Sequence, residues 1–176
     1  MKHQEIKGYK AFNIDLTNRY QIPFEEGKTY TVEGPLKFGN QGNGYHFCKH
    51  LEDTLRYVPA LVDDIKIAEV TSLSEVVEYA DDYYGYYDIY AARELRIDRI
   101  LTREEIIKTM LNVHEDRVIR FISLFKLTED EKLMFESKYH NNIKVYLAMK
   151  YYFDSDTDIY KNYYRGKIKV KSKDDK

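Results

Sequence analysis

The chain of 176 residues contains a single cysteine, no tryptophan and no long apolar run. One cysteine excludes an internal disulfide and is typical of a protein from a reducing cytoplasm. No stretch approaches the roughly 20 apolar residues that cross a bilayer, and the first ten residues lack the apolar core of a signal peptide. We therefore expect a cytoplasmic protein without a membrane-spanning segment.

A dominant charge is also absent, because 28 lysines and arginines balance 30 aspartates and glutamates to give a net charge of −2. No overall field therefore favours nucleic acid or a membrane surface, and we expect no direct nucleic-acid binding. With 43% hydrophobic residues and a mean hydropathy of −0.64, the composition is that of a globular protein. A chain of this length buries a core without disulfides or structural metal.

The residues that are present form two regions of different periodicity. Strand-like alternation marks the N-terminal region. The segments predicted as strands are 8–16, 28–33, 44–48, 65–70 and 89–101. A helix through residues 91–95 is the alternative within the last of these. Residues 50–57 predict a short helix that ends before Pro59.

The C-terminal region has helical features from Thr102 onward. Thr102 with Glu105, and Thr128 with Glu131, have the spacing of helix N-terminal capping boxes. Apolar residues at helical spacing follow these pairs, which is typical of core-facing helices. A homodimer interface on these helices is the alternative interpretation of their aromatic residues.

Together these patterns predict an α+β fold with a twisted, mostly antiparallel sheet and a C-terminal helical cap. The predicted organisation is a β-rich domain over residues 1–101, a helical extension over 102–164 and a basic tail over 165–176.

Residues 75–90 interleave acidic residues and tyrosines without one basic residue. One interpretation is a solvated hairpin or loop around Gly85, with its tyrosines half-buried on the domain. The other is a contact surface for a basic protein, because carboxylates pair with lysine and arginine and tyrosine rings stack on guanidinium groups. The residues that we assign to this surface are Glu75, Glu78, Asp81, Asp82, Tyr83, Tyr84, Tyr86, Tyr87 and Asp88.

His46, Cys48 and His50 would share one face of an extended strand, and their side chains are zinc-ligand types. A fourth donor would have to come from His3, His114 or His140. The alternatives are a buried structural Cys48, or a Cys48 nucleophile with His46 as its base, although no acid nearby in sequence would orient the histidine. We expect no bound metal or other cofactor.

Several short motifs resemble an uncharacterised domain family found in phages and bacteria. They are Lys10-Ala11-Phe12, Gly27-Lys28-Thr29-Tyr30, Glu33-Gly34, Gly44-Tyr45-His46-Phe47-Cys48 and the segment 91–97. The resemblance covers about residues 8–106. It implies an origin in a phage or mobile element, and it implies no particular activity.

The order of strand, glycine-rich turn, aromatic strand and helix is also similar, at the level of the fold, to small mono-ADP-ribosyltransferases. That similarity implies an NAD-using enzyme with a site at Tyr45 and His46 and an acid such as Glu94. The first strand lacks the usual histidine or arginine, Lys10 being the nearest basic residue.

The sequence therefore favours a non-enzymatic protein-binding module of phage or mobile-element origin. Its expected partner has a basic surface, and its expected role is to inhibit a host nucleic-acid-binding defence protein. The alternative is the NAD-using enzyme.

Overall fold

The computed structural model describes residues 4–38, 42–57, 66–80 and 88–154. It contains a seven-stranded antiparallel sheet in the N-terminal part and α-helices at the C-terminus, which confirms the α+β prediction. The strands are β1 (Ile6–Phe12), β2 (Thr29–Thr31), β3 (Tyr45–Cys48), β4 (Lys66–Ser72), β5 (Val76–Ala80), β6 (Asp88–Ala92) and β7 (Glu94–Ile100). The helices are α1 (Arg103–Met110), α2 (Glu115–Leu124), α3 (Glu129–Tyr139) and α4 (Ile143–Asp154).

The sheet is strongly bent. Its strand order is β2-β7-β4-β1-β3-β6-β5, so β6 and β7 are four positions apart. Arg93 alone connects them, and one residue is too short to cross the strands that lie between β6 and β7. The sheet must therefore curve until the end of β6 comes close to the start of β7. The Tyr45 hydroxyl on β3 accordingly donates a hydrogen bond to the Thr31 carbonyl on β2, over 3.3 Å.

The inside of this bend holds the main hydrophobic core. Alternation along each strand sends every second side chain inward. The buried members are Phe12, Phe24, Phe47, Ala68, Val70, Tyr90, Ala92, Leu95 and Ile97. Gly8 permits the close approach of β1 to β3, because a Cβ at this position would lie 2.3 Å from the Cys48 carbonyl oxygen.

Three elements differ from the sequence prediction by more than a residue or two at their ends or in their type. The strand expected over 8–16 ends at Phe12, because Asn13 turns the chain by accepting and donating backbone hydrogen bonds with Leu16 and Thr17. The single strand expected over 89–101 is two strands that break at Arg93, and the helical alternative there is wrong. The helix expected over 50–57 is a 3₁₀ helix, Leu51–Tyr57.

The helical region forms a core of its own. Phe121 packs on Phe125 and Phe135, with ring centroids 4.7 and 5.8 Å apart. Val145 and Met149 of α4 are buried as well. Both predicted capping boxes are confirmed, since the side chain of each threonine and glutamate binds the backbone amide of the other.

The chain divides into two compact units, Met1–Val58 with Ile65–Thr109 and Pro59–Asp64 with Met110–Lys176. The first unit therefore extends past residue 101 through most of α1. Among the residues that the structure describes, no helix is long and apolar enough to cross a membrane. The basic tail, residues 165–176, lies outside the described residues.

Candidate functional site

The acidic, tyrosine-rich segment 75–90, hereafter the acidic hairpin, contributes both strands at one side of the sheet. β5 and β6 pair antiparallel from Val76 opposite Ala92 to Ala80 opposite Asp88, and β5 is the edge strand. Six residues assigned to the contact surface lie outside the described residues. They are Asp81, Asp82, Tyr83, Tyr84, Tyr86 and Tyr87. Glu75, Glu78 and Asp88 are described.

The Glu75 carboxylate forms an ion pair with Arg93, a residue of the same compact unit. The carboxylate accepts a hydrogen bond from Arg93 Nε over 2.7 Å, and a second one from Arg93 Nη2. Arg93 also donates to the Gly34 carbonyl over 2.6 Å. Glu75 therefore holds the arginine that joins β6 to β7, and much of its charge is neutralised within the chain.

Asp88 lies near two exposed basic groups. Its carboxylate is 3.6 Å from Lys49 Nζ and 3.9 Å from His50 Nε2. Exposed pairs at such distances are worth at most about 1 kcal/mol in proteins. Asp88 thus remains accessible to a stronger basic partner.

Glu78 differs from both, because it is exposed and no ion pair engages it within the described ranges. Its neighbours on β5, Val77 and Tyr79, are 38% and 42% exposed. Tyr79 stacks on Phe38 with ring centroids 4.6 Å apart and an interplanar angle of 11°. β5 therefore presents an acid on one face and an apolar, aromatic pair on the other.

Tyr45, the first residue proposed for the enzyme site, belongs to an aromatic cluster inside the bend. Its ring lies 6.0 Å from Phe24 and 6.2 Å from Tyr30, and its hydroxyl is bound to the Thr31 carbonyl. Burial raises the pKa of this phenol, with a smaller contribution from Tyr30. The phenol therefore stays protonated near neutral pH.

His46 faces the other side of β3, where its ring packs edge-on against Phe38 with centroids 4.7 Å apart. Its Nε2 is buried and has no hydrogen-bond partner in the described part of the chain. Burial lowers the pKa of His46 to about 4, and the positive charges of Lys10 and Arg19 act in the same direction. The imidazole is therefore neutral at physiological pH.

Glu94, the proposed acid, begins β7 opposite Thr31. It follows Ala92, the residue that pairs with Tyr45, by two positions. Because Leu95 is buried in the core inside the bend, alternation places the Glu94 side chain on the opposite face from Tyr45. The bend thus brings the two backbones to one region but separates the two side chains.

Cys48 and His50 do not form a common site with His46. β3 ends at Cys48, and His50 lies beyond it beside Asp88. The Cys48 thiol is buried, and burial raises its pKa to about 12, so it is neither a ready nucleophile nor a ready ligand. No group of three or more metal-ligating side chains occurs among the residues searched, which are those described.

Lys10 is the residue that sequence reasoning underrated. It lies on the core side of β1, with Nζ 5.7 Å from the Phe12 ring centroid and 6.0 Å from that of Phe24. Its ammonium group donates to the His46 carbonyl over 2.6 Å, and burial lowers its pKa to about 8. Its shared parity with Phe12 was a usable signal, because it predicted a lysine on an inward face.

The α4 helix exposes Ile143, Leu147 and Tyr151, which recur every four residues. Exposure alone does not identify a partner, so the homodimer interface considered above stays a prediction. Sedimentation as a monomer at high concentration would reject it.

The first compact unit coincides with the match to a protein family. The chain belongs to the family described as "Domain of unknown function (DUF7666)", whose model matches residues 6–109. The match contains all seven strands and most of α1. No curated protein and no solved structure matches the chain significantly.

Proposed function

We propose that this chain is a non-enzymatic protein-binding module that captures a basic partner through the acidic hairpin. The observation that carries the proposal is β5, an edge strand with an exposed acid at Glu78 and exposed Val77 and Tyr79 beside it. Apolar and aromatic side chains supply contact area, while the acid supplies attraction for lysine and arginine.

Further acidic and aromatic residues follow in the sequence. Asp81, Asp82 and four tyrosines follow β5 directly, and Asp88 begins β6. Tyrosine provides a large contact area at low entropic cost, which suits a recognition surface. The density of acid favours partners that themselves bind nucleic acid, since their surfaces carry clustered lysines and arginines.

In its finer form, the proposal makes the partner a host nucleic-acid-binding defence protein and the chain a phage or mobile-element inhibitor of it. The encounter takes place in the cytoplasm, where the single Cys48 stays reduced. The resemblance of the sequence motifs to a family found in phages and bacteria supports this origin.

Affinity capture from a bacterial lysate tests the proposal, with bound proteins identified by mass spectrometry. We expect Asp81→Lys/Asp82→Lys to lose the partner, because two attractive charges become repulsive. The matched control is Glu33→Lys/Glu136→Lys, which changes the net charge equally at two exposed positions outside the acidic hairpin. Equal capture by the wild type and the Asp81→Lys/Asp82→Lys variant would refute the proposal.

A further inference from the structure

The direction of the backbone groups on β5 follows from two hydrogen bonds. The Lys49 amide donates to the Asp88 carbonyl over 2.9 Å, so the backbone groups of Asp88 point toward β3. Because direction alternates along an antiparallel strand, Ile89 and Ala91 point toward β5. The Arg93 amide, which donates to β5's neighbour Glu75 over 3.3 Å, agrees with this alternation.

The pairing register transfers this alternation to β5. Tyr79 lies opposite Ile89 and Val77 lies opposite Ala91, so the backbone groups of Tyr79 and Val77 point inward to β6. The amide and carbonyl groups of Val76, Glu78 and Ala80 consequently point to the outer edge. No strand pairs with that edge within the ranges given above.

The side chains of β5 define what an added strand must carry. Val77 and Tyr79 lie on one face together with Phe38, whereas Glu78 lies on the other face across from Tyr90. Directly opposed side chains on neighbouring strands contact each other. A complementary strand therefore alternates lysine or arginine, facing Glu78, with apolar residues, facing Val77 and Tyr79.

We propose that β5 binds an extended segment of the partner as an eighth strand, and that this segment alternates basic and apolar residues. The inference rests on the proposed function and adds its mode of binding. Main-chain hydrogen bonds to Val76, Glu78 and Ala80 supply affinity, and the two faces supply specificity.

A labelled peptide of alternating lysine and valine, seven residues long, is the probe, and fluorescence anisotropy measures its binding to the full chain. Its control is the fully N-methylated peptide, which keeps every charge and side chain but cannot donate main-chain hydrogen bonds. We expect N-methylation to weaken binding on the order of tenfold or more, because two or three hydrogen bonds are lost.

Two substitutions at Glu78 separate the contribution of its charge to peptide binding from the contribution of its backbone amide. Glu78→Gln removes the charge alone, whereas Glu78→Pro also removes the outward amide while sparing the hydrogen bonds to β6. We expect Glu78→Pro to bind the probe several-fold more weakly than Glu78→Gln. Should circular dichroism show that Glu78→Pro does not fold, the two peptides on the wild-type chain still decide the question.

The outcomes distinguish this inference from the proposed function. Selective binding of the unmethylated peptide, weakened further by Glu78→Pro, supports strand addition. If both peptides bind equally well and Glu78→Lys abolishes their binding, strand addition is overturned, while the proposal of an acidic contact surface stands. Failure of both peptides to bind, together with partner capture that is indifferent to Asp81→Lys/Asp82→Lys, overturns both.

Discussion

His46 shows at the scale of one residue how burial keeps a histidine uncharged. Its ring is wedged against Phe38, and its pKa of about 4 keeps it uncharged. A histidine in an unfolded chain has a pKa near 6.5. Between these two values the unfolded chain binds a proton that the folded chain does not, so folding is progressively disfavoured as the pH falls from about 6.5 toward 4.

We therefore predict that His46→Phe reduces the pH dependence of stability in acid. The free energy of unfolding, measured with urea at pH 7 and pH 4.5, should fall by about 1–2 kcal/mol less in the variant than in the wild type, after allowance for partial exposure of the ring. His50→Phe is the matched control, because His50 is exposed. Identical losses in the wild type and His46→Phe would show that His46 is protonated in the folded state.

At the scale of the secondary-structure element, Gly8 tests how closely β1 pairs with β3. An added methyl group at Gly8 would lie 2.3 Å from a backbone oxygen of Cys48 and 2.7 Å from the Phe47 ring. We expect Gly8→Ala to cost about 3 kcal/mol or more in the free energy of unfolding, because the two strands must move apart.

Gly34→Ala is the comparison variant for Gly8→Ala. Gly34 has φ +84°, and an added Cβ would meet only Asn43 Nδ2, at an ordinary contact distance of 3.5 Å, so alanine there introduces backbone strain of about 1 kcal/mol without a clash. Denaturant unfolding of both variants measures the difference. A Gly8→Ala cost no greater than that of Gly34→Ala would mean that β1 and β3 are not held as close as described.

The elements that the sequence predicted best are those specified by local signals. Both capping boxes involve residues only three apart, and so their spacing is visible in the sequence itself. The break at Arg93 was missed because it depends on distant partners, the Glu75 carboxylate and the carbonyls of Val32 and Gly34. Periodicity does not record such contacts.

For a similar reason the sequence left β5 undecided between one strand of a hairpin around Gly85 and a loop. Its acidic and aromatic residues suit a loop as well as a strand, and its extended form depends on pairing with β6. The candidate enzyme residues illustrate the same limit. Tyr45 and His46 are neighbours on β3, and Glu94 lies two residues beyond Ala92, which pairs with Tyr45. Alternation nevertheless places the side chains of Tyr45 and His46 on opposite faces of β3, and the Glu94 side chain on the opposite face from Tyr45.

At the scale of the whole molecule, the proposed binding protein and the alternative NAD-using enzyme differ in what they require of Tyr45 and His46. The Tyr45 hydroxyl is engaged by Thr31, and the His46 ring is packed against Phe38. A ligand that binds the folded state raises the melting temperature. Because we propose that the chain does not bind NAD, we expect millimolar NAD to leave the melting temperature unchanged. A rise that Tyr45→Ala abolishes would instead revive the enzyme interpretation.

The net charge of the molecule is small, so any attraction for a basic partner must come from a local concentration of acid. Such attraction weakens as added salt shortens the screening length, from about 30 Å at 0.01 M to about 8 Å at 0.15 M. Packing of apolar groups lacks this dependence.

The affinity of the captured partner, measured against salt concentration for the wild type and Asp81→Lys/Asp82→Lys, tests the central claim most directly. The account predicts a dissociation constant that rises steeply with salt in the wild type, and much weaker binding in the variant at low salt. An affinity that is indifferent both to salt and to the two substitutions would contradict it.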